Sequence, residues 1–465
     1  MKVNSLAETV RLIRSREVSS QDLVKELLER ATKLDRLTNA FITINPSVLE
    51  EAREKDNLPV KGRLHGIPIV FKDNFVTKGI RTTAGSKVLD DFVPQYNATV
   101  VQRLLDEGAI IFGKNNMDAW AHGSSTETSD YGPSRNPWNF EHLPGGSSGG
   151  TAATVVLDMA ICGIGSETAG SIRQPAAWSG CVGLKPTYGR VSRYGLIAMA
   201  SSLDCPGPIA KTVEDAAIIL EIIAGQDKYD ATTSPAEVEK YTSFLGRDIK
   251  GMRIGLVREY LVEEMHKGVK RLILNAAKVF ENLGANVEYV SAMDPHYAIG
   301  VYTIIQRSEV SSNLARYDGI RYGFGRDRFG EEAKRRIILG TFALSEGYSE
   351  RYYKKAMKVR SLYVEDFAKI FQRFDLLIGP TSPTPAKKIG ASKGESMFGE
   401  IEDMLIEPST IAGLPGISVP CGFIDGLPVG LNIFGPQFSE TRLIQAAHAY
   451  QMATGWHLLK PKVDV

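Results

Sequence analysis

Two serines and a lysine stand in settings that could carry nucleophilic chemistry. The segment Pro144-Gly145-Gly146-Ser147-Ser148-Gly149-Gly150 sets two hydroxyls among four glycines and runs at once into the helix-like stretch from Thr151 to Val156. Glycine admits backbone conformations that other residues resist and lets main-chain amides approach a ligand closely. Taken alone, the segment fits three readings. It is an ordinary tight loop before a helix, or a phosphate cradle, or a nucleophile elbow. The cradle lacks the GK[ST] ending of a P-loop and the spacing of a dinucleotide fingerprint. The elbow pattern G-x-S-x-G is met formally by Gly145-Gly146-Ser147-Ser148-Gly149.

A second segment, Gly165-Ser166-Glu167-Thr168-Ala169-Gly170-Ser171-Ile172-Arg173, sets another serine after a turn of small residues. Successive amides in such a turn can converge on one point, which is how an oxyanion hole is built. Lys72 is the third element, in Gly66-Ile67-Pro68-Ile69-Val70-Phe71-Lys72-Asp73-Asn74. Beside Asp73 it reads first as an ion-paired lysine. Held among apolar residues and hydroxyls instead, its ammonium would shed a proton readily and the amine could act as a base.

The surrounding pattern says what positions these groups. Leu6, Val10 and Ile13 have helical spacing, and Ser19-x-x-Asp22 opens a second helix through Leu23, Leu27, Leu28 and Ala31. Phe41 to Ile44 and Ile67 to Phe71 read as strands, the latter ending on Lys72. Asn97 is expected to cap a helix through Val100, Val101, Leu104 and Leu105, which Gly108 closes before a strand from Ala109 to Phe112. The alternation recurs in Met252–Val257, Val269–Leu283 and Ala285–Val290. It returns in Leu376–Ile378, Ile417–Val419 and Val429–Ile433, with a last helix from Ser439 stopped by Gly455. Such alternation predicts a layered α/β body around a central sheet. Gly323–Gly330 and Lys387–Glu400 read as surface loops.

Composition removes several classes of function. Lys plus Arg is 55 and Asp plus Glu 54, a formal charge of +1, too balanced for a protein that grips nucleic acid by its own charge. Any RNA involved is expected on another chain. Cys162, Cys181, Cys205 and Cys421 form no CxxC pair and have no histidine at zinc-ligand spacing, which predicts reduced thiols and a cytoplasmic protein. Met1-Lys2-Val3-Asn4-Ser5 leads straight into the first amphipathic pattern, unlike a signal peptide. The longest apolar stretch, Thr151 to Gly165, is broken by Asp158 and too short to span a bilayer. No membrane association is expected.

In this order, the three segments resemble the amidase-signature family, in which a nucleophilic serine, a bridging serine and a lysine form a Ser-Ser-Lys triad. The 75 residues from Lys72 to Ser147 and the 24 from Ser147 to Ser171 agree with that family. The resemblance implies Ser171 as nucleophile, Ser147 as bridge with a cis peptide, and Lys72 as base. It implies oxyanion donors in the amides of Thr168, Ala169, Gly170 and Ser171, with Ser148 in support. An α/β fold with a central mixed sheet covered by helices on both faces is implied too, as one domain over 1–465 with a signature core at about 64–210.

Three further segments, Lys185-Pro186-Thr187-Tyr188-Gly189-Arg190-Val191-Ser192, Gly340-Thr341-Phe342-Ala343-Leu344-Ser345 and Ala412-Gly413-Leu414-Pro415-Gly416-Ile417-Ser418-Val419-Pro420, are similar to one branch, the A subunits of glutamyl-tRNA(Gln) amidotransferases. The similarity runs from the first helix to Gly422. It implies a glutaminase that supplies ammonia to a tRNA-binding B subunit that uses ATP and Mg²⁺, a small C subunit, and no cofactor in this chain. Arg336 would take the α-carboxylate of glutamine, with Arg335 as fallback. Asp403 would lie near the ammonium, Tyr302 on the pocket wall, and Gly123 and Ser124 in the pocket. The chain departs from the family pattern in two places. Ala169 stands where a second glycine is usual, and alanine resists positive φ. Ala119, Trp120 and His122 differ from the pattern of that branch, and Trp120 and His122 read as packing residues.

Three rivals make distinct demands. A free-standing amidase would have an apolar pocket in place of the Arg336/Asp403 clamp. A Ser-His-Asp hydrolase would join Ser147 to His448 or His457. A binding module would use the glycine-rich loop as an anion nest.

Overall fold

The computed structural model describes residues 5–320, 323–395 and 397–463. Met1–Asn4, the start of the N-terminal reading, and Ser396 of the Lys387–Glu400 loop lie outside the described residues. Helices α1 (Leu6–Arg14) and α2 (Ser20–Thr38) come first, and the Ser19 hydroxyl caps α2 by accepting from the amide of Asp22. Next are β1 (Phe41–Ile44), α3 (Val48–Asp56) and β2 (Pro68–Lys72), whose five residues are all buried. The step from α4 (Thr99–Asp106) to β3 (Ile110–Asn115) follows. Asn97 does not cap α4. Ala98 holds that position, and the Asn97 side chain accepts instead from the amide of Lys78 at 2.7 Å, because the helix starts one residue too late for it.

The glycine-rich segments lie among α5 (Gly149–Val156), β4 (Cys162–Glu167), α6 (Arg173–Ser179), β5 (Val182–Lys185) and β6 (Cys205–Ala210). After α7 (Val213–Ile223) come β7 (Arg253–Val257), α8 (Lys267–Asn282) and β8 (Asn286–Val290). Three long helices, α9 (Pro295–Asn313), α10 (Glu331–Leu344) and α11 (Tyr353–Ile370), precede β9 (Leu376–Pro380). The chain closes with α12 (Phe398–Asp403), α13 (Glu407–Ile411), β10 (Gly416–Ile424), β11 (Leu427–Phe434) and α14 (Glu440–Thr454). Gly455, left-handed, stops α14 as its position predicts.

Among the described residues, the eleven strands form one mixed sheet in the order β1-β3-β2-β4-β6-β5-β10-β11-β9-β7-β8. Two portions are parallel (β2 with β3 and β4, β7 with β8 and β9), whereas the middle and the edge strand β1, which pairs with β3, are antiparallel. Helices cover both faces, as register requires. A side chain on Gly430 of β11 would run into Ala177 of α6, whereas one on Gly422 of β10 would meet Leu272 of α8. Gly422 pairs with Val429, and neighbours 429 and 430 point to opposite faces. So α6 and α8 flank the sheet from opposite sides.

The helices α9 and α10 bring Tyr302 and Arg336 inward, and they cross tightly. A Cβ on Gly340 would overlap the carbonyl group of Arg307. Gly340→Ala gains about 1 kcal/mol of helix propensity, but the overlap with main-chain atoms outweighs it. A net loss of stability on the order of 2 kcal/mol is expected by urea denaturation. A variant at least as stable as the parent would contradict this account of the crossing.

Candidate active site

Lys72 ends a strand buried on both faces and is 0% exposed. Its Nζ lies 2.6 Å from Ser147 Oγ and 3.0 Å from the carbonyl oxygen of Ser166. Asp73 is not its partner, contrary to the simpler expectation. Successive side chains at a strand end point opposite ways, and Asp73 pairs with Lys114 at 3.1 Å while accepting from the amide of Thr83 at 2.8 Å. Burial pushes the Lys72 amine down to about 7, against an upward pull from Asp118, Asp204 and Glu167. Of the two buried lysines nearest Asp73, Lys72 and Lys114, Lys72 therefore has hydroxyl and carbonyl company, and Lys114 has the carboxylate.

The Gly146–Ser147 peptide is cis, and Gly145 has a φ of +86° that suits glycine. The side-chain oxygen of Gln174 accepts from the amide of Gly146 at 2.9 Å. Ser148 donates from its amide to the carbonyl of Ser171 at 3.3 Å and from its hydroxyl to that of Ser166 at 3.4 Å, tying the two serine segments together. No strand leads into this loop, so it is not the strand-to-helix elbow that its sequence formally matches.

The turn bearing Ser171 is fixed from outside. Glu167 Oε2 accepts from the amides of Ile172 and Arg173, both at 3.1 Å, and Oε1 meets Arg173 Nη2 at 2.7 Å, with both side chains fully buried. Arg173 also donates to Thr410 Oγ1 at 2.7 Å, and that hydroxyl donates to the carbonyl of Ala169 at 2.6 Å. Thr168 Oγ1 donates to Asp204 Oδ1 at 2.7 Å, and burial raises the Asp204 acid to about 6. Among the described residues, the amides of Ala169, Gly170 and Ser171 donate to no protein acceptor. Neither Ala169 nor Gly170 has a positive φ, so the alanine brings no backbone strain. Glycine is needed at 170 for space, because a Cβ there would overlap Asp403 Oδ1.

That contact links the turn to the predicted pocket. Ser124 Oγ donates to Asp403 Oδ2 at 2.7 Å, while Asp403 Oδ1 has no partner among the described residues. Burial, reinforced by Glu167, Glu402 and Glu400, holds the Asp403 acid well above the usual carboxylate range despite the Ser124 bond. Gly123 packs against the Asp118 carboxylate, which accepts from the amides of Ser125, Thr126 and Thr128. Arg336 is buried, with Nε 2.5 Å from Glu332 Oε1 and Nη2 3.9 Å from Glu400 Oε1. Burial works against its charge, but these two carboxylates outweigh it and hold its pKa above the ordinary value. Tyr302 is buried within the fields of Arg336, Glu400 and Asp403, and desolvation pushes its hydroxyl well up. Arg335, the fallback, is 39% exposed in its side chain and pairs with Glu332.

The structure does not assemble the histidine alternative. Ser147 Oγ is engaged by Lys72, whereas His448 Nδ1 accepts from the amide of Gly246, and neither His448 nor His457 bonds to Ser147 among the described residues. All four cysteines are free and buried. The described residues contain no cluster of three or more His, Cys, Asp or Glu able to hold a metal, and no helix long and apolar enough to cross a membrane. Sequence reasoning missed the supports. Glu167 and Arg173 flank Ser171 closely enough to have been paired by inspection, but Thr410 and Asp204 carry no local signal.

A sequence profile described as Amidase matches residues 22–444. The chain belongs to the amidase family. This amidase is 49% identical to the A subunit of glutamyl-tRNA(Gln) amidotransferase from Oceanobacillus iheyensis, over 99% of this chain and 98% of the relative. It is 47% identical to the A subunit from Carboxydothermus hydrogenoformans, over 99% of both. The crystal structure of the A subunit from Thermotoga maritima superposes with a TM-score of 0.84 at 40% identity, over 96% of this chain and 94% of that one. The peptide amidase of Stenotrophomonas maltophilia gives 0.85 at 33% identity, over 98% and 97%.

The buried amine makes the stability of this amidase depend on pH. An unfolded lysine titrates near 10.5 and the folded Lys72 near 7, so between those values the unfolded chain binds more protons. Unfolding free energy from this group must therefore rise with pH across that window, after carrying the full cost of a buried charge below it. Chemical denaturation of the parent and of Lys72→Met is expected to show a stability difference that shifts in the parent's favour from pH 7 to pH 10. A difference flat with pH would contradict the depressed pKa.

Proposed function

We propose that this chain is the glutamine-hydrolysing A subunit of a glutamyl-tRNA(Gln) amidotransferase. The observation that carries the chemistry is the 2.6 Å contact between a fully buried Lys72 Nζ and Ser147 Oγ. Ser171 Oγ attacks the side-chain amide carbon of glutamine. Its proton passes to Ser147, whose own proton passes to neutral Lys72. The amides of Ala169, Gly170 and Ser171, with that of Thr168, receive the oxyanion, each such donor typically contributing about 3 to 4 kcal/mol. The proton returns through Ser147 to the leaving nitrogen, ammonia departs, and water releases glutamate from Ser171 by the same relay.

Glutamine is selected by charge. Arg336 takes the α-carboxylate, Asp403 steadied by Ser124 takes the α-ammonium, and Tyr302 and Gly123 close the sides. A free-standing amidase of small neutral amides would have no use for a buried Arg336 and Asp403. The names of the relatives support an assembly with further subunits. The B subunit would bind tRNA and use ATP and Mg²⁺, the C subunit would brace the pair, and this near-neutral chain would form one amidase unit that touches tRNA only indirectly.

Removing one member of a buried charge pair costs about 2 to 5 kcal/mol. Arg336→Met is therefore expected to lower glutaminase kcat/KM by roughly 30-fold or more while Ser171 still reacts with a small phosphonate probe. Undiminished glutaminase activity would remove Arg336 from the pocket. Ser171→Ala should abolish both glutamine hydrolysis and labelling, and persistent labelling would displace Ser171 as nucleophile.

A further inference from the structure

The segment between β3 and the glycine-rich loop delivers a side chain that the reaction above leaves unused. Trp120, Ala121 and Thr126 have φ values of 59°, 63° and 68°, a left-handed backbone that non-glycine residues keep only where surrounding structure enforces it. The enforcement comes from the Asp118 carboxylate, which gathers the amides of Ser125, Thr126 and Thr128, and from the carbonyls of Ala84 and Asp118, which accept from the amides of Trp120 and Ala121. Trp120 stacks on Phe329 and tilts against Tyr317, so its ring is packed on both sides, although among the described residues its Nε1 also lacks a partner. His122 is different. It is 1% exposed, and among the described residues neither Nδ1 nor Nε2 has a hydrogen-bond partner.

Buried polar groups are almost always paired, because an unpaired one forfeits its hydration with nothing in return. An imidazole with both nitrogens unpaired, one residue from Gly123 and two from the Ser124 that holds Asp403, is placed for a ligand rather than for packing. After burial, the guanidinium groups of Arg336 and Arg307 are the influences on this ring, and together they keep it neutral. Arg307 is itself nearly buried, with Nη2 at 2.9 Å from Glu400 Oε1 and, among the described residues, Nε and Nη1 unpaired. A neutral imidazole thus lies within the electrostatic reach of both guanidinium groups. A neutral imidazole supplies one N–H donor.

We propose that His122 is a further specificity-determining residue that donates a ring N–H to the α-carboxylate of the substrate beside Arg336. This rests on the glutaminase reading and extends it to a residue outside the usual pattern of that branch. Arg336 supplies the charge, and the imidazole fixes the orientation of the second carboxylate oxygen.

The test compares glutamine with 4-aminobutanamide, which is glutamine lacking its α-carboxylate, on the full chain purified with its companion subunits. His122→Met is expected to lower the ratio of kcat/KM for glutamine over that for 4-aminobutanamide by about tenfold to a hundredfold. His122→Gln, which retains a donor, should restore most of it. A structural role would depress both substrates in parallel, and an unchanged ratio in His122→Met overturns the proposal. The same question can be put without altering the imidazole. In the Ser171→Ala protein labelled with ¹⁵N-histidine, glutamine should shift one buried ring resonance that 4-aminobutanamide leaves in place. Absence of that shift also overturns it. Arg336→Met separates the two ideas: a collapsed ratio there with an intact ratio in His122→Met rejects His122 alone, whereas no glutamine hydrolysis by the parent rejects the glutaminase reading.

Discussion

An amine held in a dry interior against a hydroxyl is the constraint on which the rest of this amidase depends. In water the ammonium of lysine keeps its proton far above neutrality. Removing it from solvent penalises the charged form, and the 2.6 Å contact to Ser147 Oγ gives the neutral form a partner. Three carboxylates, those of Asp118, Asp204 and Glu167, oppose the effect, yet desolvation outweighs them. The surrounding architecture follows from protecting that balance. A strand buried on both faces carries Lys72, and the opposing direction of Asp73 sends the nearest carboxylate to Lys114.

The proposed relay of hydroxyls would work only if its distances are fixed, and here the fixing comes from outside the glycine-rich loops. The loops supply small residues and close approach, as at Gly170, where a side chain would displace Asp403. Rigidity comes from the Glu167–Arg173 pair, which reaches the turn amides on one side and Thr410 on the other. A buried pair of this kind is weak evidence for stability but strong evidence for geometry, since its remaining donors and acceptors must all be met. Asp403 then serves two regions at once. It touches the turn through Gly170 and the pocket segment through Ser124.

Much of this was legible in the residues. The strand ending on Lys72, the helix opened by Ser19 and the one stopped by Gly455 follow from local pattern alone, as does the alternation that predicts an α/β sheet. Asn97 shows the limit of local reasoning, because a side chain that could cap a helix found its donor one loop away, in the amide of Lys78. The order of the eleven strands has no local signature, since it is set by pairings such as β5 with β10 that lie far apart in sequence. In the site, Lys72, Ser147 and Ser171 stand out by company and spacing. Arg336 and Asp403 would pass for solvated charges without the family resemblance, and their burial comes from helix packing that no short window encodes. Ala169, a departure from the family turn, proved compatible because the backbone there is not left-handed.

The central claim concerns a single proton. Titration of Lys72 by NMR, using ¹³Cε-lysine protein with the resonance assigned from Lys72→Met, reads it directly. A midpoint near 7 is predicted. A midpoint near 10.5, that of a solvated lysine, would contradict the account, for an amine charged at neutral pH could not accept the proton that the proposed serine relay would pass to it.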